Sequence, residues 1–244
     1  MGKYGTSKWT KYKFMRKDAS LRAHLPETLW LSEKAFWSLL DKYGEVIVKP
    51  TGSYGGEGVI RVRNKGVYYE VHDGAKKRKY ATKAELTSAV LKKRRRRNQL
   101  VQRRISLATV QKRPFDLRVM VQRKKRGDWK VTGTLAKVAG KGFIVTNMRR
   151  SNGSILSFSE AIRRSGLKNN SQSAINAAVN RTALRSARQL QKYYSNQRTM
   201  GVDMGLDGKG KPWVIEVNFA PMLGLFLKLK DKSMYRTIVS YTKK

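Results

Sequence analysis

Apolar residues recur at three- and four-residue intervals between Ser32 and Gly44. Ala35, Phe36, Leu39, Leu40 and Tyr43 fall on one face, which predicts a helix capped by Ser32 and stopped by Gly44. The period then changes. The solid run Val46 to Val48 predicts a buried strand closed at Lys49 and Pro50, because proline has no N–H for a ladder. Val59–Arg63 alternates, Asn64–Gly66 turns, Val67–His72 returns, and Asp73-Gly74 leads to a third short strand at Lys79–Ala81. Thr82 predicts the cap of a helix from Lys83 to about Arg97, with Glu85 placed for a capping box.

The second half reads the same way. Leu100–Leu107 predicts a strand running into a linker, and Phe115–Gln122 a strand turned by Gly127-Asp128 into Trp129–Ala139. Asn152-Gly153 is a hairpin signal between Phe143–Asn147 and Ile155–Phe158, and Ser159 is the expected cap of a short helix. Ser171–Tyr194 is the longest helical segment, with Ile175, Val179, Leu184, Ala187, Leu190 and Tyr194 as its buried stripe. Two strands, Thr199–Leu206 and Pro212–Asn218, flank a polar turn at Asp207–Lys211, and Asp231–Tyr241 predicts a last helix. Residues 1–31 are basic and carry Tyr4, Trp9, Tyr12 and Phe14; they are expected to pack on the body, a nucleic-acid arm being the alternative, and Leu25–Thr28 reads as a turn.

Composition narrows the partners more than the fold. The chain has 244 residues and 40% hydrophobic positions, enough for a proper core in one large domain or two lobes. Lysine and arginine number 54 against 16 acidic residues, a net charge of +38, which draws polyanions: nucleic acid, acidic polypeptide, anionic lipid or nucleotide. With no cysteine, disulfides and thiolate metal sites are excluded, in keeping with a cytoplasmic protein. The two histidines, His24 and His72, are far apart, which argues against a histidine metal site or a hydrolytic triad. No apolar run approaches a membrane span, and the basic N-terminus leads into no apolar signal region.

Two stretches carry candidate chemistry. Lys49 stands at a strand end beside a loop with Gly52, Gly55, Gly56 and Gly58. Such a loop lets backbone N–H groups wrap phosphate oxygens while an ammonium supplies charge. A glycine-rich hairpin with a surface lysine is the plainer reading, and the Walker pattern is absent. In the C-terminal pair of strands, Glu216 and Asn218 project from one strand face, and Asp203 can lie across from them. Two carboxylates and an amide oxygen are hard ligands suited to Mg²⁺, the alternative being solvated acids on a strand.

The lysine and glycine loop, followed by a C-terminal Asp with Glu-x-Asn, resembles the ATP-grasp superfamily. The resemblance is closest to its spore-coat-associated YheC/YheD branch. It runs through Lys49–Gly58, Leu100–Gln102, Arg113–Gln122, Trp129–Gly133, Ile144–Asn147, Gly201–Asp203 and Trp213–Pro221. It implies an α+β fold, with ATP held between two α+β lobes. The expected division is a basic extension at 1–31, a first lobe at 32–100 with the glycine loop, and a second lobe at 101–244 with the Mg²⁺ hairpin. By the resemblance, Lys49 touches phosphates, and Gly52, Ser53, Tyr54, Gly55, Gly56 and Gly58 form the closing loop. Gln102, Arg103, Arg104 and Ile105 belong to the segment that meets adenine. Arg118 faces the phosphates or an acyl phosphate, Lys137 is a second cationic contact, and Asp203, Glu216 and Asn218 hold Mg²⁺.

The implied activity is an ATP-dependent carboxylate–amine ligase working through an acyl phosphate. The excess charge suggests a peptide or other acidic macromolecule as substrate, with non-specific nucleic-acid binding as a secondary property, no membrane, and a cytoplasmic or spore-associated setting. A non-catalytic polyanion-binding or coat protein and a nucleic-acid module are the alternatives. Family members also carry a folded domain ahead of the lobes, where this chain has about thirty residues, fewer than a typical domain.

Overall fold

The computed structural model describes residues 4–52, 57–91, 98–143 and 152–242. In its first part, α1 (Lys8–Arg16) and α2 (Ala19–Arg22) precede strand β1 (Thr28–Trp30), helix α3 (Glu33–Tyr43) and β2 (Glu45–Pro50). Then come β3 (Ile60–Asn64), β4 (Tyr69–Asp73), β5 (Lys76–Tyr80), α4 (Lys83–Val90) and β6 (Gln99–Arg103). These strands form a six-stranded antiparallel sheet in the order β1-β6-β2-β3-β4-β5.

The predicted caps are in place. Ser32 Oγ accepts from Ala35 N, and Gly44 closes α3 at φ +68°, in the left-handed region that favours glycine. Thr82 and Glu85 form the capping box of α4. Alternate residues Val46, Val48, Ile60, Val62, Val71 and Val101 turn one sheet face onto Phe36, Leu39, Leu40, Leu86 and Val90. The opposite face, carrying Lys49 and Gln102, is left for the cleft.

The second part holds β7 (Thr109–Val110), β8 (Arg113–Gln122), β9 (Lys130–Val138), β10 (Ser154–Ser157), α5 (Phe158–Arg163) and α6 (Gln172–Gln191). It ends with β11 (Thr199–Leu206), β12 (Pro212–Asn218), a 3₁₀ segment at Leu223–Lys228 and α7 (Ser233–Ser240). The second sheet runs β10-β9-β8-β11-β12, with β7 beside β8. One face packs on α6 through Ile175, Val179, Ala183, Ala187 and Leu190. The other is covered at one end by Phe226 and Ile238, against Met120 and Leu135.

Several expectations change on folding. The cap of α5 is Ser157, whose Oγ accepts from Glu160 N, and not Ser159. Starting the helix at Phe158 is what puts Phe158, Ala161 and Ile162 inside. Leu184 is half-buried, and Ala183 takes its place in the buried stripe of α6. The described partner of β10 is β9, with Ser154 opposite Val138 and Ser157 opposite Leu135. The expected strand partner over 144–147 lies outside the described residues, as do the basic run 92–97 and Ser53 to Gly56. Residues 1–31 do pack on the body. Helix α1 joins the second core through Tyr12, Phe14 and Met15, and β1 extends the first sheet.

Candidate active site

The second sheet builds the charged side of the site by register alone. Asp203 on β11 lies opposite Arg118 on β8 and opposite Glu216 on β12. Gly201 lies opposite Asn218, and Asp116 opposite Lys137 on β9. Side chains two apart share a face, so Asp116, Arg118, Lys137, Asp203, Glu216 and Asn218 all emerge on one side of four strands.

The cluster is tightly paired. Arg118 Nε and Nη2 donate to the two oxygens of Asp203 at 2.9 and 3.0 Å, a bidentate pair. Lys137 Nζ donates to Asp203 Oδ1 at 2.8 Å and lies 3.0 Å from Asp116. Asn218 Nδ2 adds a third donor to Asp203 at 2.9 Å. Burial alone would raise the Asp203 carboxyl, but Arg118 and Lys137 outweigh it and hold the group well below the usual carboxylate range. Burial likewise opposes the charges on Arg118 and Lys137. The facing carboxylates, Asp203 first for Arg118 and Asp116 first for Lys137, more than offset that and raise both.

Gly201 makes room for this packing. A Cβ on Gly201 would sit 2.6 Å from Pro221 Cβ and 3.2 Å from Arg118 Cδ. The proline ring cannot yield as a flexible chain end would. Gly201→Ala is therefore expected to destabilise by roughly 1–3 kcal/mol through overpacking, read as a lower denaturation midpoint at unchanged m-value.

Across the cleft, Lys49 Nζ is buried and donates to Gln102 Oε1 at 2.8 Å, with Ile215 O of β12 at 3.5 Å. Gln102 Nε2 donates to Thr28 Oγ1 at 2.7 Å, and Thr28 Oγ1 donates to Pro26 O at 2.9 Å. Gln102 therefore holds the lysine in place. Burial pushes the Lys49 ammonium down to about 8, with Glu216 acting weakly the other way.

The other candidates are dispersed. Arg103 lies over the rings of Tyr43 and Trp213, at 4.8 and 5.1 Å to their centroids. Arg104 pairs with Glu45 at 3.1 Å, and Ile105 is buried. Gly52 is exposed and Gly58 has φ +70°.

Helix α1 brings residues that the sequence reading missed. Lys8 Nζ lies 3.7 Å from Glu216, and Lys8 N donates to Thr51 O at 3.2 Å. Lys11 is buried, donates to Val217 O and sits over the Phe219 ring at 4.9 Å. Tyr12 Oη accepts from Thr28 N at 3.0 Å. With Lys49, Gln102 and Glu216 these residues line a space of about 20 Å³, room for a single water.

The donors suit magnesium in kind, being carboxylate and amide oxygens. They are unequal in availability. Asp203 is already engaged by three donors, whereas the Glu216 side chain is 23% exposed and has Lys8 at the loose end of pairing distance. Among the described residues no group of three or more His, Cys, Asp or Glu side chains gathers to hold a metal. An ion here would rest on Glu216 and Asn218, with Asp203 behind them and phosphate oxygens completing the shell.

Two antiparallel sheets with this cluster between them define an ATP-grasp fold. The N5-carboxyaminoimidazole synthetase of Staphylococcus aureus, solved with ADP, superposes with a TM-score of 0.58 at 11% identity, over 96% of this chain and 50% of that one. The ATP-grasp ligase PsnB, solved with a minimal precursor, gives 0.53 at 16% identity, over 96% of this chain and 60% of the other. At such identities the likeness is one of fold.

The YheC/D-like ATP-grasp family model matches residues 1–243, and the chain belongs to that family. It is 25% identical over 227 residues to the endospore coat-associated protein YheD of Bacillus subtilis (strain 168), covering 90% of this chain and 49% of YheD. For YheC of the same organism the figures are 25% over 225 residues, 88% and 59%. The chain thus spans about half the length of the curated relatives it matches.

Proposed function

We propose that this chain is an ATP-dependent carboxylate–amine ligase of the ADP-forming kind, acting on a peptide or another acidic macromolecule. The observation that carries the reading is that Lys49 on the first sheet and Glu216 on the second line one space between the sheets. In the reaction a substrate carboxylate oxygen attacks the γ-phosphorus of ATP, and the bond to the β-phosphate oxygen breaks, releasing ADP. An amine then attacks the acyl carbon of the acyl phosphate and inorganic phosphate leaves. Lys49 and Lys8 neutralise phosphate oxygens, and Arg118 and Lys137 supply positive charge on the second sheet. No protein nucleophile is needed, since positioning and charge neutralisation carry such transfers. Mg²⁺, when bound, would be held by Glu216 and Asn218 with Asp203 and would supply Lewis acidity.

In this reading the nucleotide lies between the two sheets, with residues 52–58 as the covering loop and the lobes dividing near residue 100. The net charge of +38 exceeds what ATP requires and favours an acidic acceptor over a small one. No described helix is long and apolar enough to cross a membrane. A second reading, a polyanion-binding coat component, is favoured by the coat association of YheC and YheD and shares the spore setting.

ADP release separates the two. Turnover stimulated by an acidic peptide and not by duplex DNA supports the ligase, and binding without turnover supports the coat component. Lys49→Ala is expected to shrink the thermal stabilisation given by Mg²⁺-ATP, which for one site is about 2.7 kcal/mol at a hundredfold excess over Kd. Because the free ammonium titrates near 8, wild-type affinity falls as pH rises through that value. A bound polyphosphate raises the lysine's pKa, so binding takes up a proton. Kd should weaken about tenfold between pH 7 and pH 9 in calorimetry, one pKa unit being 1.36 kcal/mol. A flat profile would show that Lys49 does not meet the nucleotide.

A further inference from the structure

We propose that the outer edge of β5 binds an acidic stretch of polypeptide as an added strand. Strand β5 ends the first sheet, paired with β4 on one side and, among the described residues, with no strand on the other. Its register, from Tyr69 opposite Tyr80 to Asp73 opposite Lys76, runs without a break, and Lys76 to Lys79 are all exposed. In an antiparallel ladder alternate residues turn their N–H and C=O away from the partner. The two-residue turn Gly74-Ala75, with Gly74 at φ +61°, makes Asp73 and Lys76 a hydrogen-bonded pair. The outward backbone groups are therefore those of Lys77 and Lys79, and they meet no other backbone group among the described residues.

Charge decides what this edge accepts. Lys76, Lys77, Arg78 and Lys79 are consecutive, so cations stand on both faces of one short strand. Among the described residues none of the four is in an ion pair. Glu70, opposite Lys79, is held by Arg61 at 3.1 Å, and Glu85 is engaged in the cap of α4. Lys79 Nζ stands over the Tyr68 ring, 4.7 Å from its centroid, a contact that leaves its charge unneutralised. Cations keep an edge from pairing with its own copy, which rules out a second β5 as the occupant. A strand of opposite charge is favoured instead. Its carboxylates recur about every 7 Å on each face, in step with Lys77 and Lys79 on one side and Lys76 and Arg78 on the other.

The open ladder favours polypeptide over nucleic acid, which could meet the cations but has no peptide backbone to pair with Lys77 and Lys79. The edge also lies well for the cleft. Register runs Ile47, Arg61, His72, Lys77 across four strands, and Lys49 is two residues on from Ile47, so Lys77 and Lys79 share the sheet face of Lys49. Three strand spacings, about 14 Å, separate β5 from β2. A bound strand therefore lies beside the cleft and outside it. Docking stands on the edge and its charge; only its purpose, holding an acidic substrate at the cleft, rests on the ligase reading.

The test uses the full chain, ¹⁵N-labelled, and three probes: capped hexaglutamate, the same peptide N-methylated at every amide, and a thymidine hexanucleotide as a polyanion without a peptide backbone. Saturable shifts and slowed hydrogen exchange at the amides of Lys77 and Lys79 are expected with the first probe alone. Lys77→Ala removes one charge, and Lys77→Pro removes the outward N–H as well, a change an edge strand accommodates. The proline variant is expected to bind hexaglutamate about three- to tenfold more weakly than the alanine variant, the loss of one backbone hydrogen bond. Should it misfold, the N-methylated probe makes the same comparison on the wild-type chain. Both variants keep the Mg²⁺-ATP thermal shift, so failure here is distinct from failure of the nucleotide reading. Equal binding of the N-methylated copy, the same amide changes with the hexanucleotide, or no change at Lys77 and Lys79 overturns the proposal.

Discussion

Asp203→Asn is expected to destabilise the folded chain by roughly 3–5 kcal/mol, the range for breaking a buried ion pair by removing one partner. Its carboxylate is shared by the Arg118 guanidinium, the Lys137 ammonium and the Asn218 amide, all within 3.0 Å. An asparagine keeps the shape and removes the charge, leaving Arg118 buried without its bidentate acceptor. Lys137 is less exposed to the loss, because Asp116 still faces it at 3.0 Å. The acid limb of stability should change with it. A carboxyl held low in the folded state contributes in full above its unfolded value of about 3.9, and the contribution is lost as pH falls from there towards the folded value. Wild type should therefore lose stability below about pH 4 more steeply than the variant. Urea denaturation at pH 7 and pH 3 measures both effects. A variant as stable as wild type at pH 7 would mean that Arg118 and Lys137 find other partners.

The part of this site that was legible in the sequence is the part fixed by local rules. Asp203, a polar turn and then Glu216 and Asn218 form a hairpin. Strand period and turn length bring Asp203 level with this pair, but counting back from Leu206 opposite Pro212 sets it against Ile215; a bulge after Val214 shifts the register by one and brings it opposite Glu216. The Ser32 and Thr82 caps were legible for the same reason, since each acts within four residues of chain. The locking of Asp203 by Arg118 and Lys137 was not. It depends on the order β9-β8-β11 across 85 and 66 residues of separation, which no local pattern encodes.

Helix α1 was hidden by a different rule. Residues 1–31 were expected to pack on the body, but Lys8 and Lys11 were not singled out, since lysines are almost never buried unless paired. Their burial follows from the closing of two sheets onto the helix. Strands β1 and β7, of three and two residues, are too short to show a period at all.

The register pair Asp203 and Glu216 also separates two roles that composition cannot distinguish. Asp203 is 9% exposed and saturated with donors, and its first task is to balance buried cations. Glu216 stands open on the cleft side, with Lys8 at 3.7 Å as its recorded ion pair. A loose, partly solvated pair of this kind is worth about 0–1 kcal/mol. Glu216→Gln should therefore leave the urea midpoint within about 1 kcal/mol of wild type. Turnover should behave otherwise. Exchanging a charged magnesium ligand for an amide removes attraction at the point where phosphate charge must be neutralised. A loss of about 3 kcal/mol there corresponds to roughly a hundredfold in rate. Measured on one preparation, ADP release and the urea midpoint should thus part company, the first collapsing while the second holds. Unchanged turnover in Glu216→Gln would remove Glu216 from the metal set. A joint collapse of turnover and stability would instead give Glu216 the structural role that the geometry assigns to Asp203.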